Sequence, residues 1–153
     1  MQSKGLYPPS NGVDEQLISK IVEHEGIKRF AYTDTLGYVS VGIGRCLDAK
    51  KGKGLSVDEC FYLLANDIKD LKSELGKFDW YNKQNYVRQG ALIEMAFNLG
   101  VNGLINFKKM IVCLDGGNFE SAAKEMADST WATQIGINRL KDLQSRIRLG
   151  YYA

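Results

Sequence analysis

The segment Glu25-Gly26-Ile27-Lys28-Arg29-Phe30-Ala31-Tyr32-Thr33-Asp34-Thr35-Leu36-Gly37-Tyr38-Val39-Ser40-Val41-Gly42-Ile43-Gly44 decides how this chain is read. It runs from a helix end through a turn into a strand. Upstream of it, Leu17, Ile18, Ile21 and Val22 recur at helical spacing, with Asp14 as the N-cap. Gly26 is placed to end that helix in the left-handed conformation that glycine adopts cheaply. Between residues 30 and 44 the period changes to two, so Val39, Val41 and Ile43 point one way and Tyr38, Ser40 and Gly42 the other. Thr33 to Gly37 is a turn by composition, and a small hairpin or three-stranded sheet is expected.

That path can place two carboxylates and a hydroxyl around one cleft, the minimal equipment for hydrolysing a glycosidic bond. Leu17, Ile21 and Glu25 are spaced i, i+4, i+8, and Glu25 thereby prolongs the apolar face, whereas Glu15 and Glu23 lie off it. A carboxyl continuing a buried stripe loses hydration, which favours the protonated form that a leaving group needs as its acid. Asp34, in a turn among Thr33, Thr35 and Gly37, is expected to stay hydrated and ionised. Ser40 is placed to donate a hydrogen bond to Asp34 and to hold a water. Each residue alone is ordinary, since a Glu near a helix end is usually solvated and an Asp in a turn is usually a local cap. Their combination in one short segment is what carries the reading.

Composition sets the outer bounds. With 153 residues, 44% hydrophobic and 25% charged, the chain suits one globular domain with a real core. A net charge of +2 is far below the footprint of a dedicated nucleic-acid binder. Cys46, Cys60 and Cys113 have no metal-ligand spacing, His24 is the sole histidine, and neither a zinc site nor a disulfide framework is expected. Cys60 falls on an apolar helix stripe, where a small buried hydrophobe is expected. No segment reaches the length of a membrane span, and Met1 to Gly12 lacks the apolar core of a signal peptide. Residues 1–13, with Pro8 and Pro9, read as a flexible lead-in to a single domain over residues 14–153.

The remainder is helical. Ser56 and Glu59 form a capping-box pair that opens the longest helix, where Val57, Cys60, Phe61, Leu64, Ile68, Leu71 and Leu75 recur at spacings of three and four, closing at Gly76. Further helices are expected over about residues 85–99, 107–114, 119–128 and 138–149. The architecture expected is α+β: a small N-terminal lobe with a short antiparallel sheet (about 14–58), a long connecting helix (about 56–76) and a C-terminal helical lobe (about 77–153).

Taken together, Glu25-Gly26, Tyr32-Thr33-Asp34-Thr35-Leu36-Gly37-Tyr38 and Ser40-Val41-Gly42-Ile43-Gly44-Arg45 closely resemble the motif of the phage-type lysozymes of glycoside hydrolase family 24. Phe97-Asn98-Leu99-Gly100 with Gly103 and Phe107, and the group Trp131, Gln134, Asn138 and Arg139, are similar to later parts of the same family. The resemblance covers about residues 16–150.

It implies a lysozyme-like fold and a muramidase that inverts the anomeric centre, cutting the β-1,4 link from N-acetylmuramic acid to N-acetylglucosamine in peptidoglycan. Glu25 would be the general acid, Asp34 would hold the attacking water, and Ser40 would assist where the family has threonine, with less positional order but no loss of activity. Tyr38, Asn98, Asn102 and Gln134 would contact substrate. Arg139 matches an arginine that pairs with the catalytic glutamate. Arg45 stands where the family has a histidine, and an Arg45–Asp67 ion pair is expected in its place. No metal or organic cofactor, nucleic acid or membrane insertion is implied. A monomeric endolysin made in the host cytoplasm and released by a holin to act in the periplasm is the simplest biology. A virion tail enzyme, a non-catalytic wall-binding module and a lytic transglycosylase are the rivals.

Overall fold

A computed structural model describes residues 15–153, so the lead-in and the Asp14 cap lie outside the described residues. The chain divides into two compact units, residues 1–60 and 61–153. The N-terminal unit contains α1 (Glu15–Glu25), β1 (Lys28–Thr33), β2 (Val39–Gly42), β3 (Arg45–Cys46) and the first turn of α2 (Val57–Leu75). The strands form one antiparallel sheet in the order β1-β2-β3, with Tyr32 opposite Ser40 and Ser40 opposite Cys46.

Burial in this unit departs from the sequence pattern. Ser40 is 3% exposed, whereas Val39 is 46% exposed, so the covered face of β2 is the polar one. Helix α1 has no buried residue, and Glu25 is exposed. The shielding that the Leu17, Ile21 and Glu25 stripe implied is therefore not supplied within this unit, whose three short strands offer little surface to cover a helix. Cys60 is likewise exposed rather than buried.

Polar contacts organise the unit instead. The capping box forms as expected: Ser56 Oγ accepts from Glu59 N at 3.1 Å, and Glu59 Oε2 accepts from Ser56 N at 2.8 Å. The same Oε2 takes the Arg45 guanidinium at 2.7 Å, and Arg45 Nη1 also donates to the Gly54 carbonyl at 3.0 Å. Arg45 thus ties β3 to the loop before α2 and to that helix's first turn.

The C-terminal unit is all helix: the rest of α2, α3 (Asp79–Asn82), α4 (Tyr86–Ile105), α5 (Lys108–Asp115), α6 (Phe119–Ala127), α7 (Thr130–Ile135) and α8 (Ile137–Leu149). Its core is Leu92 and Met95 of α4, Met110 of α5, Met126 of α6 and Leu143 and Ile147 of α8, all fully buried. Leu75 joins that core, with Ile68 and Leu71 packed against it, while Val57 and Phe61 at the other end of α2 are exposed. The expected helix stop at Gly100 is real but local: with φ +75° and ψ 160° the residue breaks α4, which resumes to Ile105. Helix α3 was not expected, because one turn is too short to show a period. Asn85, Asn118 and Ser129 cap α4, α6 and α7 through their side chains.

The end of α8 is held by α4. Arg88 Nε donates to the Ile147 carbonyl at 2.7 Å and Nη2 to that of Arg148 at 3.3 Å, while Asn85 Nδ2 donates to the Gly150 carbonyl at 2.8 Å. The guanidinium also lies 3.4 Å over the Phe119 ring. A Cβ on Gly150 would stand 2.7 Å from Arg88 Cζ, so this clasp needs glycine there.

Two outcomes follow from these contacts. Arg88→Ala should lower the unfolding free energy by about 2 kcal/mol, the scale of hydrogen bonds from a charged donor, measured by urea denaturation. Glu59 titrates at about 2 instead of 4.5, held down first by the Arg45 guanidinium and then by the Ser56 N–H. A depressed carboxyl contributes stability above its unfolded value and loses it as pH falls toward the folded one. The stability gap between wild type and Glu59→Gln should therefore shrink as pH falls from 4.5 toward about 2, followed by thermal melts across that window.

Candidate active site

Strand β2 organises the candidate residues of the N-terminal unit. At its start lies the turn that carries Asp34. Asp34 Oδ1 accepts from Leu36 N and from Tyr38 N, both at 2.9 Å, and Asp34 N donates to the Tyr38 carbonyl at 2.8 Å. Those bonds fix the carboxylate relative to the backbone it sits on, and they account for Tyr38 as a framework residue of the turn. The donors to Asp34 are thus backbone groups; the Ser40 hydroxyl expected among them is not one of the donors.

Ser40 occupies the middle of the central strand, flanked by Tyr32 of β1 and Cys46 of β3. Of the described residues of this unit, it is the one that is buried. A small polar side chain at this place keeps a hydroxyl inside the sheet's covered face where an aliphatic residue would fill the space.

Glu25 is the last residue of α1. The chain reverses at Gly26, whose φ is +71° and whose N–H closes on the Val22 carbonyl at 2.8 Å. The following strand, β1, then pairs Lys28 with Gly42 at the far end of β2. This return brings the Glu25 carboxyl against Gly44 in the turn between β2 and β3: a Cβ built on Gly44 would be 2.9 Å from Glu25 Oε2. The strand therefore runs from the Asp34 turn, past Ser40, to the turn on which Glu25 rests.

Two arginines singled out in the sequence have ion-pair partners within their own units. Arg45 pairs with Glu59, a partner that the sequence reading did not name. Glu59 lies at the third position of α2, where its capping bond already aims the carboxylate back toward the sheet; Asp67 lies about two turns further along that helix. Arg139 has a partner within its own unit, Glu94, with Nε to Oε1 at 3.2 Å. The same Glu94 carboxylate also receives Arg146, which is itself 7% exposed and braced by Asp142 at 2.9 Å. Arg139, Asp142 and Arg146 share one face of α8 at i, i+3, i+7, the spacing that also pairs Asp142 with Arg146 within the helix.

In the C-terminal unit, Asn98 Oδ1 accepts from Trp131 Nε1 at 2.7 Å. Trp131 is buried at the start of α7 and meets the Phe107 ring edge-on at 5.8 Å. The bond fixes which way the Asn98 amide faces: its oxygen is held by the indole, so Nδ2 is its outward donor. Asn102 and Gln134 are exposed. No helix of the described residues is long and apolar enough to cross a membrane.

Comparison with known proteins places these features. The family model described as phage lysozyme matches residues 22–148. A probable T4-type lysozyme 1 of Dictyostelium discoideum is 28% identical, the alignment covering 82% of this chain and 89% of that protein. A pre-baseplate central spike protein of Enterobacteria phage T4 is 26% identical over 83% of this chain but only 27% of its own length. A SAR-endolysin of Haemophilus phage HP1 is 29% identical over 67% of this chain and 56% of its own. With a match running from the end of α1 to the end of α8, the chain belongs to the phage lysozyme family and is a lysozyme.

Proposed function

We propose that this lysozyme hydrolyses the β-1,4 bond between N-acetylmuramic acid and N-acetylglucosamine with Glu25 as general acid and Asp34 as the residue that activates water. Glu25 gives its proton to the glycosidic oxygen as the bond to the anomeric carbon breaks. Asp34 takes a proton from the water that attacks that carbon from the opposite face, so the configuration inverts. Such a reaction needs a carboxyl gap of roughly 6.5–9.5 Å to admit the water. Ser40 adds a hydroxyl that orients the water. After product leaves, proton exchange with solvent restores an acidic Glu25 and an ionised Asp34.

What supports this reading above all is the order along β2: the Asp34 turn precedes it, Ser40 lies within it, and the Gly44 turn, against which the Glu25 carboxyl rests, follows it. The backbone bonds to Asp34 Oδ1 hold the carboxylate in place. On the substrate side, Tyr38, Asn102 and Gln134 are proposed sugar contacts, and Asn98 Nδ2 a donor to an acetamido oxygen. The chain is proposed to act on the wall in the periplasm as a monomer after release from the host cytoplasm by a holin. The similarity to the central spike protein favours a second setting, a lysozyme carried on the virion. Mass spectrometry of purified particles separates the two, since a virion enzyme is found in them and a released endolysin is not.

The decisive assay is turbidity loss of bacterial cells stripped of outer membrane. Glu25→Gln and Asp34→Asn should each lower the rate by about 10²–10⁴-fold, the contribution of a positioned acid or base, with melting temperatures close to wild type. An Asp34→Asn protein that clears cells at the wild-type rate and releases anhydro-ended products would instead mark a lytic transglycosylase. Ser40→Thr should retain turnover, because the hydroxyl stays; a sharp loss would show that the added methyl does not fit the covered face.

A further inference from the structure

Gly42 ends β2 and Gly44 lies in the turn between β2 and β3, and each has φ +70°. Their surroundings differ. A Cβ built on Gly42 meets no atom within 4 Å, whereas one built on Gly44 lies 2.9 Å from Oε2, 3.1 Å from Cδ and 3.5 Å from Cγ of Glu25. Backbone conformation alone accounts for glycine at Gly42. At Gly44 a second constraint acts, because the space of the missing side chain is filled by the carboxyl of Glu25.

We infer that Gly44 is a positioning residue for the reaction, its bare α-carbon forming the seat on which the Glu25 carboxyl rests. This rests on Glu25 being the general acid. The seat has little freedom to yield. The Val41–Arg45 pairing closes the turn, and Arg45 is tied to the Gly54 carbonyl and to Glu59. On the other side, Gly26 holds the end of α1 through its bond to the Val22 carbonyl. With both backbones held, a methyl at residue 44 is relieved chiefly by rotation of the Glu25 side chain, which carries the acid away from its place. A misplacement of about 1 Å at a reacting group can cost about 100-fold in rate.

The test compares Gly44→Ala with Gly42→Ala, which suffers the same positive-φ penalty but meets no neighbour. Gly44→Ala should lower kcat by about 10- to 100-fold with KM little changed, a loss well beyond that of Gly42→Ala. Melting temperatures then report the contact without relying on turnover. The Gly44→Ala loss should shrink when Glu25 is also changed to Ala, and the Gly42→Ala loss should not. Equal kcat losses in the two glycine variants, or a Gly44→Ala melting loss indifferent to the residue at position 25, would overturn the inference. Melting coupling to Glu25 with undiminished kcat would overturn it differently: the seat would stand, and Glu25 would fall as the acid.

Discussion

Carboxylates that draw in nearby backbone N–H groups hold the N-terminal unit in shape. Asp34 Oδ1 gathers the amides of Leu36 and Tyr38, Asp48 Oδ1 those of Lys50 and Lys51, and Glu59 that of Ser56. Each replaces a water that would otherwise solvate the amide, and each fixes a turn. The unit has little else: of its described residues, Ser40 alone is buried. A sheet without an apolar core has weak register, because nothing penalises a one-residue slip. Here the slip is opposed at both ends of β2, by the Asp34 turn before it and by Arg45 after it. The placement of the proposed acid and base therefore depends on hydrogen bonds at turns more than on hydrophobic burial.

The C-terminal unit follows the opposite logic, and that contrast explains what was legible in the sequence. Its helices declare themselves because apolar residues recur every three or four positions and bury against one another, as Leu92, Met95, Leu143 and Ile147 do. Local chemistry was legible too. The capping box at Ser56 and Glu59, the stop at Gly100 and the turn at Asp34 each depend on residues a few positions apart. Periodicity misled where the core was thin. Val39 and Ile43 alternate as a buried face would, yet both are exposed, and the face that is covered carries Ser40. Likewise the stripe of α1 ends in Glu25 but supplies it no shelter within its unit. Alternation shows which side chains share a face; what covers that face is settled by the neighbouring elements.

Partners of long charged side chains were the least legible feature. Arginine reaches several ångströms from its backbone and takes whichever carboxylate is presented in the right geometry. Arg45 met Glu59 because the capping bond had already turned that carboxylate toward the sheet. The family pattern describes a histidine at this place, a shorter and planar group with a different reach, and so gave no sign of Glu59. The same substitution changes the chemistry of the joint. A histidine there would lose its charge near neutral pH, whereas the arginine stays charged across that range. This lysozyme thus keeps its sheet tied to α2 at any pH at which Glu59 is ionised.

Glu94 shows the same lesson inside the helical unit. It receives Arg139 at its exposed edge and Arg146 from the interior, while Asp142 braces Arg146 from its own helix. The four charges sum to zero, which is the condition for holding Arg146 almost wholly out of water. Even so, the Nε of Arg146 has no hydrogen-bond partner. An orphaned buried donor is costly, so the arrangement is tolerated for the ion pairs that the rest of the guanidinium makes. Because Glu94 supports both arginines, its loss would leave one buried cation compensated only by Asp142, whose side chain is 63% exposed and correspondingly screened. The position of Arg139 at the start of α8 is therefore inherited through Glu94 from a buried ion pair about two helical turns away.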